Sequence, residues 1–281
     1  MSKQMSLEEF QEAVGWGLWN DSLKQIYSKH RKMVADDILE LADKSKGTSE
    51  VLVWHSAKIL NGFGKQAYQS IVEVVNELVE NDKNSASLLL FDSEKILERI
   101  AAVSSKYIPI VFGALKSGAK TNGKTVYNLA EGCYRVLENI TQIDSKYVRV
   151  VFNAVSKIIE NEGMAAYHFA KRSADVLKDV IKVDRRYIPV VFEAAGKLGR
   201  KQGDVVLDWF GISKVWGNAW TSEYEPSISN LLEKIGKGKN IDADYLLIES
   251  IENQKDAQIV GPLIDMEKYG DLYKEKVQRF Y

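Results

Sequence analysis

The chain has 281 residues, of which 45% are apolar and 27% charged, as is ordinary for a folded protein with a large core. Its 38 basic and 39 acidic residues nearly cancel, which argues mildly against a general nucleic-acid or membrane-surface binder, because such proteins usually carry a basic excess. The single cysteine, Cys133, excludes an intrachain disulfide and fits a reducing compartment.

Residues 1–64 are predicted to form N-terminal capping helices. A short helix is expected over 6–20 and an amphipathic helix over 21–44. A third runs from Glu50 to Leu60, after which Gly62 is expected to take the left-handed conformation. The start of the chain lacks the apolar core of a signal peptide, and no stretch approaches the roughly 18 apolar residues of a membrane span. We therefore expect no membrane partner and a cytoplasmic location.

The middle of the chain repeats itself at a step of 40 residues. Residues 105–112, 145–152 and 185–192 read SKYIPIVF, SKYVRVVF and RRYIPVVF. The register extends back to about residue 65, since 75–82 align with 155–162 at twice that step. Such a period is typical of a stacked array of structural units.

Each unit is predicted to consist of two helices. The first begins near the tyrosine and ends about 13 residues later, at a turn where a glycine of positive φ would follow the helix. The second carries an apolar stripe at steps of three and four residues. Candidate N-caps are Ser104, Asp144 and Asp184, first-turn prolines are Pro109 and Pro189, and turn glycines are Gly123, Gly163 and Gly203.

Helix pairs at a period near 40 residues resemble HEAT-like α-solenoid repeats, and the resemblance covers residues 65–220 in about four units. It implies an all-α fold, a right-handed α–α superhelix of stacked antiparallel helix pairs. Residues 221–281 lose the period and are predicted to be a C-terminal helical cap, because a terminal repeat must cover the last core face. The three segments would form one continuous domain.

The last unit departs from the pattern in its second helix, where large aromatic residues replace smaller ones. They are predicted to lie along one helical stripe and to form a plug against the C-terminal cap. Alternatively, they form a hot spot for a partner helix, or a pocket for a small molecule. The residues are Trp209, Phe210, Trp216 and Trp220, with Tyr224 just beyond.

The unit over residues 164–203 holds nine basic and four acidic residues, a local excess of five positive charges. Several of the basic residues would share one helical face, which could bind phosphates or an acidic partner. The other interpretation is a solvated face beside acidic neighbours. The candidate binding residues are Lys171, Lys178, Lys182, Arg186, Arg200 and Lys201.

No motif in the chain predicts a catalytic residue, a metal site or a cofactor. His30, His55 and His168 lack the spacing of metal ligands, and Cys133 lies on an apolar stripe where burial suppresses reactivity. Residues 196–203 are rich in glycine and lysine, but they match neither nucleotide-binding fingerprint.

The sequence thus favours a non-catalytic scaffold that holds a protein or peptide partner on the surface of an α-solenoid. The alternative is a nucleic-acid-binding protein that uses the basic unit 164–203 and the adjacent tryptophans. HEAT-like DNA glycosylases combine such features, so base-repair chemistry belongs to this alternative as an analogy. A small-molecule site among the tryptophans is a third hypothesis.

Overall fold

The computed structural model describes residues 21–201, 203–210, 214–216, 219–221 and 227–280. The helix predicted over 6–20 lies outside this part. The described chain is almost entirely α-helical, and the predicted all-α class is confirmed at that level. None of the described helices is long and apolar enough to cross a membrane.

The chain divides into two compact units, unit 1 over Met1–Tyr134 and unit 2 over Arg135–Tyr281, with the division inside helix α6. The helices of unit 1 are α1 (Asp21–Lys44), α2 (Lys46–Asn81), α3 (Lys83–Phe91), α4 (Ser93–Ser104), α5 (Ile108–Gly118) and α6 (Gly123–Ile143). A 3₁₀ turn, Ser105–Tyr107, precedes α5.

Unit 2 continues with α7 (Tyr147–Ile159), α8 (Gly163–Val183), the 3₁₀ turn Arg185–Tyr187, α9 (Ile188–Lys201) and α10 (Gly203–Trp209). A short hairpin follows, with strands β1 (Lys214–Trp216) and β2 (Ala219–Thr221). The chain ends in α11 (Ser227–Ile235), α12 (Ala243–Glu249), α13 (Gln254–Val260), the 3₁₀ turn Gly261–Leu263 and α14 (Met266–Gln278).

The first helices of the sequence repeat bury the same positions each time. Asp144 and Asp184 cap the turns before α7 and α9 by accepting hydrogen bonds from the backbone N–H groups of Lys146 and Arg186, each at 3.0 Å. Ser104 makes no such side-chain bond. The buried residues are Ala67, Tyr68, Ile71, Val72, Val75 and Leu78 in α2, and the residues 40, 80 and 120 positions after each of them.

The second helices also share their buried positions. In α6 the core side includes Val126, Leu129, Ala130, Leu137 and Ile140, and the residues 40 positions before and after each of these are buried as well. Helices α6 and α8 are continuous, whereas Asp92 interrupts the corresponding segment between α3 and α4. The apolar periodicity therefore located the core face correctly.

The predicted role of the turn glycines is wrong. Gly123, Gly163 and Gly203 are the first residues of α6, α8 and α10, and do not follow a helix end. Gly123 is required for a different reason: a Cβ there would lie 2.6 Å from the Cβ of Asp82. Close approach between backbone and side chain, and not positive φ, accounts for this glycine.

The left-handed conformation predicted for Gly62 is also wrong, because α2 bends two residues later. Gly64 has φ 82° and ψ 178°, a conformation that L side chains rarely adopt. Within the described ranges, the other positive-φ residues are Gly236 and Gly238, in the loop after α11.

The prediction of one helical aromatic stripe in the last unit is wrong, because α10 ends at Trp209. Lys214 pairs with Thr221 and Trp216 with Ala219 in the antiparallel hairpin. Side chains alternate every two residues in a strand, so a stripe at steps of three and four residues cannot continue through it. The sequence 214–221, with β-branched and aromatic residues around Gly-Asn, is itself typical of a hairpin.

Candidate binding surfaces

Most basic residues of α8 are paired with acidic residues on the same helix. Lys182 Nζ lies 2.6 Å from Oδ1 of the buried Asp179, and Lys178 Nζ lies 3.8 Å from Oδ1 of Asp175. Each partner is three residues away, as is favourable on a helix surface. Lys171 is exposed near His168, where it helps to lower the pKa of the imidazole, although burial is the larger cause.

Arg186 and Arg200 also have acidic partners. The Arg186 guanidinium forks onto Asp184, with Nη2 2.6 Å from Oδ2, and holds the pKa of that carboxyl well below its usual range. Arg200 Nε lies 3.3 Å from Oε2 of Glu160, the residue that follows α7, whereas Lys201 is exposed. The charge free to attract a partner is therefore smaller than the formal excess of five.

The aromatic candidates are only partly described. Phe210 is fully buried, with its ring centroid 5.3 Å from that of Phe169 and 4.9 Å from that of Trp209. These edge-to-face contacts attach the end of α10 to the core of unit 2. The side chains of Trp216 and Trp220, and the whole of Tyr224, lie outside the described part of the chain.

A cleft of about 810 Å³ opens beside Trp209 in unit 2, and we call it the Trp209 cleft. Helices α9 to α14 all contribute to its wall. Trp209 is half-buried, so part of its ring lines the opening. The apolar side chains of the cleft are Leu198, Val205, Ile228, Leu231, Ile235, Ile251, Ile259 and Val260.

The acidic groups of the cleft mostly have partners in the protein. Lys276 Nζ donates to the backbone carbonyl of Glu249 at 3.1 Å and to its carboxylate at 3.2 Å. Asp256 accepts the backbone N–H of Glu252 at 3.0 Å and the amide of Asn253 at 2.9 Å. These bonds fix α12, α13 and α14 around the opening.

Three lysines on the rim of the Trp209 cleft differ from these paired groups. Lys234, Lys239 and Lys255 line the cleft and are exposed. Within the residues that the structure describes, none of the three ammonium groups has an ion pair or hydrogen bond. Sequence reasoning missed them, because they come from α11, the following loop and α13, and no local pattern connects these segments.

Three large apolar side chains, Trp54, Leu88 and Phe91, are exposed on α2 and α3 of unit 1, and we call them the apolar patch. The three residues are 54%, 47% and 67% exposed. Leu88 and Phe91 are one turn apart on α3, and the Phe91 ring centroid lies 5.9 Å from that of His55, the residue after Trp54. Large exposed apolar groups on neighbouring helices are unusual on a surface that meets only water.

Two side-chain contacts show the relative direction of the helices that carry the patch. The Thr48 and Ser87 hydroxyls are 3.0 Å apart, and His55 Nδ1 lies 2.6 Å from Oε1 of Glu94. Ser87 lies on α3 and Glu94 on α4, and both pairs are separated by 39 residues, so α2 runs parallel to the α3–α4 segment. Trp54 and Phe91 therefore differ by only two residues in height, or about 3 Å along the helix axis.

The sequence contains a signal for this patch that the 40-residue step does not show. Ser56-Ala57-Lys58-Ile59-Leu60 aligns with Ser93-Glu94-Lys95-Ile96-Leu97 at a step of 37 residues. The same step pairs Trp54 with Phe91. Two aromatic residues at one repeat position, off the buried stripe, point to a common exposed surface.

His55 and Cys133 occupy structural positions. His55 bonds to Glu94, whose second oxygen lies 3.3 Å from Lys58 Nζ. Burial raises the pKa of the Cys133 thiol to about 12. No group of three or more His, Cys, Asp or Glu side chains that could hold a metal ion occurs among the described residues.

Comparisons with protein-family models, with curated proteins and with solved structures found no match. Function is therefore inferred from the chain's own residues.

Proposed function

We propose that the chain is a HEAT-like α-solenoid that holds a protein partner on its surface, without catalysis. In this proposal the antiparallel helix pairs stack into a right-handed superhelix. The shared burial positions of α2, α5, α7 and α9 support the stacking, since each helix presents the same face to its neighbours.

A second observation supports the repeat. Ser93, Cys133 and Ser173 stand 40 residues apart, and each donates a hydrogen bond to the carbonyl three residues earlier, at 2.6, 2.9 and 2.7 Å. Ser56 does the same at 3.0 Å. Because Ser56 precedes Ser93 by 37 residues, we extend the proposed array into α1 and the first half of α2. This region was predicted to be a cap.

The apolar patch is the observation that carries the binding function. Burying a large apolar side chain stabilises a complex by roughly 1.5–3 kcal/mol, and tryptophan is enriched among the residues that dominate interfaces. The Lys58–Glu94 ion pair borders the patch and supplies a polar rim. The occupant we propose is an apolar segment of a partner protein, presented as a helix or an extended peptide.

The test is selection of peptides from a random displayed library on the wild-type chain, followed by measured dissociation constants. We expect enriched peptides to carry two or more apolar anchors. Their binding should weaken at least about tenfold in the double variant Trp54→Ser/Phe91→Ser. Met266→Ser is the matched control, since Met266 is 49% exposed on α14 and lies outside the patch.

Two results would overturn the proposal. One is the failure of any peptide to discriminate the double variant from the control. The other is concentration-dependent dimerisation of the wild type, lost in the double variant, in sedimentation velocity. The patch would then be a contact between two copies of the chain.

Nucleic-acid binding, with or without base repair, stays an alternative prediction. It requires the basic side chains of 164–203 to exchange acidic neighbours for phosphates. The test is binding to single- and double-stranded oligonucleotides at about 50 mM salt, where the electrostatic contribution is strong. No binding under these conditions would exclude it.

A further inference from the structure

We propose that two interhelical turns and one loop of unit 2 together bind an acidic segment of the protein partner. The turns are 144–146, before α7, and 184–187, before α9, and the loop is 236–239, after α11. This inference rests on the proposed function, because it adds a second contact for the same class of partner. The exposed basic side chains, which we call the basic surface, are Lys146, Arg185, Arg186, Lys237 and Lys239.

The loop is fixed to the second turn by hydrogen bonds. The Tyr187 hydroxyl donates to the carbonyl of Gly236 at 2.6 Å and accepts the backbone N–H of Lys239 at 3.2 Å. The N–H of Gly238 donates to Oδ2 of Asp184 at 3.3 Å. Residues 49 to 54 positions apart in the sequence are thereby held side by side.

The loop lysines lie next to the arginine of that turn. Gly236 and Gly238 have φ of 90° and 82°, which lets the chain turn sharply on both sides of Lys237. A Cβ at Gly238 would lie 3.4 Å from Nη2 of Arg186. Lys237 and Lys239 therefore flank a residue that is in contact with Arg186.

The first turn adjoins the second. Helices α7 and α9, which these turns precede, pack against each other. Lys146 Nζ lies 2.8 Å from Oδ2 of Asp144. The hydrogen bond from Lys146 is the main cause that lowers the pKa of Asp144, and the positive charge of Arg185 adds to it. Since such an effect weakens with distance, Arg185 lies near the first turn.

The net charge of these segments is positive. Residues 142–149, 182–189 and 233–240 contain eight basic and three acidic residues. Asp179, which pairs with Lys182, raises the acidic number to four. An excess of four positive charges remains on a chain whose overall net charge is −1, so the positive potential is local.

Three basic groups of the surface are available to a ligand. Arg185, Lys237 and Lys239 are exposed, and they have no ion pair within the described part of the chain. Arginine binds a carboxylate through two parallel hydrogen bonds, and lysine attracts it as a point charge. Several carboxylates on one segment would therefore gain attraction without breaking an ion pair of the protein.

The surroundings favour an acidic protein segment over other polyanions. Single-stranded nucleic acid is held partly by stacking on exposed aromatic rings, but Tyr147 and Tyr187 are only 6% and 2% exposed. A membrane surface is held partly by apolar side chains that enter it. In the described ranges, the exposed large apolar side chains all lie outside these three segments.

The experiment measures fluorescence anisotropy of a rhodamine-labelled peptide of five Glu-Gly repeats, titrated with the full chain at about 50 mM salt. We expect saturable binding that weakens at about 300 mM salt, because salt screens exposed charges. A peptide of five Gln-Gly repeats should bind at least about tenfold more weakly. Decathymidylate and phosphatidylserine vesicles, at equal concentration of anionic groups, should displace the labelled peptide less well than unlabelled peptide does.

The basic surface is tested by the triple variant R185Q/K237Q/K239Q, which should weaken binding of the acidic peptide about tenfold. The variant R185K/K237R/K239R keeps the three charges and should bind within about twofold of the wild type.

The matched control is K171Q/K201Q/K274Q, which removes three exposed lysines of unit 2 outside the basic surface. It changes the net charge of the protein equally and should alter binding less than about twofold. All substituted residues are exposed, and circular dichroism verifies that each variant is folded.

Three outcomes would overturn the proposal: no saturable binding of the acidic peptide, equal weakening in the surface and control variants, or better displacement by decathymidylate or by vesicles. The last outcome would assign the surface to nucleic acid or to a membrane. Trp54→Ser/Phe91→Ser should bind the acidic peptide as the wild type does, whereas it should lose the peptides selected on the apolar patch. Failure of one proposal is therefore distinguishable from failure of the other.

Discussion

Lys197 on α9 reaches Asp244 on α12, with 2.5 Å between Nζ and Oδ1. The other carboxylate oxygen of Asp244 accepts the backbone N–H of Asp265 at 2.9 Å, one residue before α14 begins. Asp244 is 6% exposed, so its buried carboxylate depends on these two partners. One carboxylate thus connects α9 and α12 to the start of α14.

We predict that Lys197→Met destabilises the fold by about 3 kcal/mol, because it leaves a buried carboxylate without its cation. The double variant Lys197→Met/Asp244→Leu should recover at least about 1 kcal/mol of this loss, since no buried charge remains. Urea denaturation followed by circular dichroism measures both. Arg279→Met, which breaks an exposed pair with Glu275, is the control and should cost less than about 0.5 kcal/mol. A double variant less stable than Lys197→Met would contradict the role of Lys197 as the cation that compensates the buried Asp244 carboxylate.

Asp37 makes stability depend on pH in unit 1. Burial raises the pKa of its carboxyl from 3.8 to about 6, with further increases from Glu40 and Asp36, while Tyr68 opposes the shift. Between about pH 4 and pH 6 the folded state therefore binds more protons than the unfolded state. The contribution of Asp37 to stability is greatest below pH 4 and falls as the pH rises through 6.

We predict that Asp37→Asn stabilises the protein at pH 7 by about 1 kcal/mol, a value reduced for the partial exposure of the side chain. The difference between wild type and variant should shrink on acidification and vanish near pH 4. The measurement is urea denaturation at half-unit pH intervals. A difference that stays constant from pH 4 to pH 7 would show that Asp37 titrates normally.

Cys133 is predicted to be chemically inert in the folded protein. Its thiol is 1% exposed, and burial raises its pKa to about 12, so almost no thiolate forms at neutral pH. We expect no reaction with 5,5′-dithiobis(2-nitrobenzoate) over an hour at pH 8, and stoichiometric reaction in 6 M guanidinium chloride. Fast labelling of the native protein would show that α6 opens readily.

The substitution Cys133→Ser should cost less than about 1 kcal/mol, because Ser93 and Ser173 occupy the equivalent positions and bond to the same kind of carbonyl. Cys133→Leu should cost about 1–3 kcal/mol, since the fully packed position has no room for a larger side chain. Thermal denaturation of the two variants side by side tests this order. Equal melting temperatures would contradict it.

Gly123→Ala is predicted to destabilise unit 1 by about 1–3 kcal/mol, because the new methyl group would lie 2.6 Å from Asp82 Cβ and force the helix ends apart. Gly113→Ala is the matched control. A Cβ at Gly113, within α5, meets nothing within 4 Å, so alanine should stabilise the helix by about 0.5–1 kcal/mol. Destabilisation by both substitutions would mean that the turn before α6 is not the cause.

The sequence comes closest to the structure where contacts are local. Apolar steps of three and four residues around Tyr147 and Phe152 placed α7 and its buried face, since a helix forms from bonds four residues apart. Asp144 and Asp184 were identified as caps for the same reason. The prolines were also placed correctly, as Pro109 and Pro189 are the second residues of α5 and α9.

The predictions were wrong where the structure depends on contacts between residues that are far apart in the sequence. The reason for glycine at position 123 is the side chain of Asp82, which lies 41 residues earlier in the chain. The helix after Gly203 stops at Trp209 because a hairpin follows, although the repeat register favoured a continued helix. Extrapolating a repeat assumes that each unit packs like the one before it. The terminal units of an array pack differently, because they have a neighbour on one side only.

The sequence by itself determined the helical class, the 40-residue register and the buried face of each repeated helix, because side-chain periodicity within one helix suffices for these. Only the tertiary structure decided which surface residues come together. Parallel packing of α2 and α3 brings His55, the residue after Trp54, against Phe91, and Lys234, Lys239 and Lys255 line one cleft. Such groupings depend on how helices pack across long stretches of chain, where no local pattern records them.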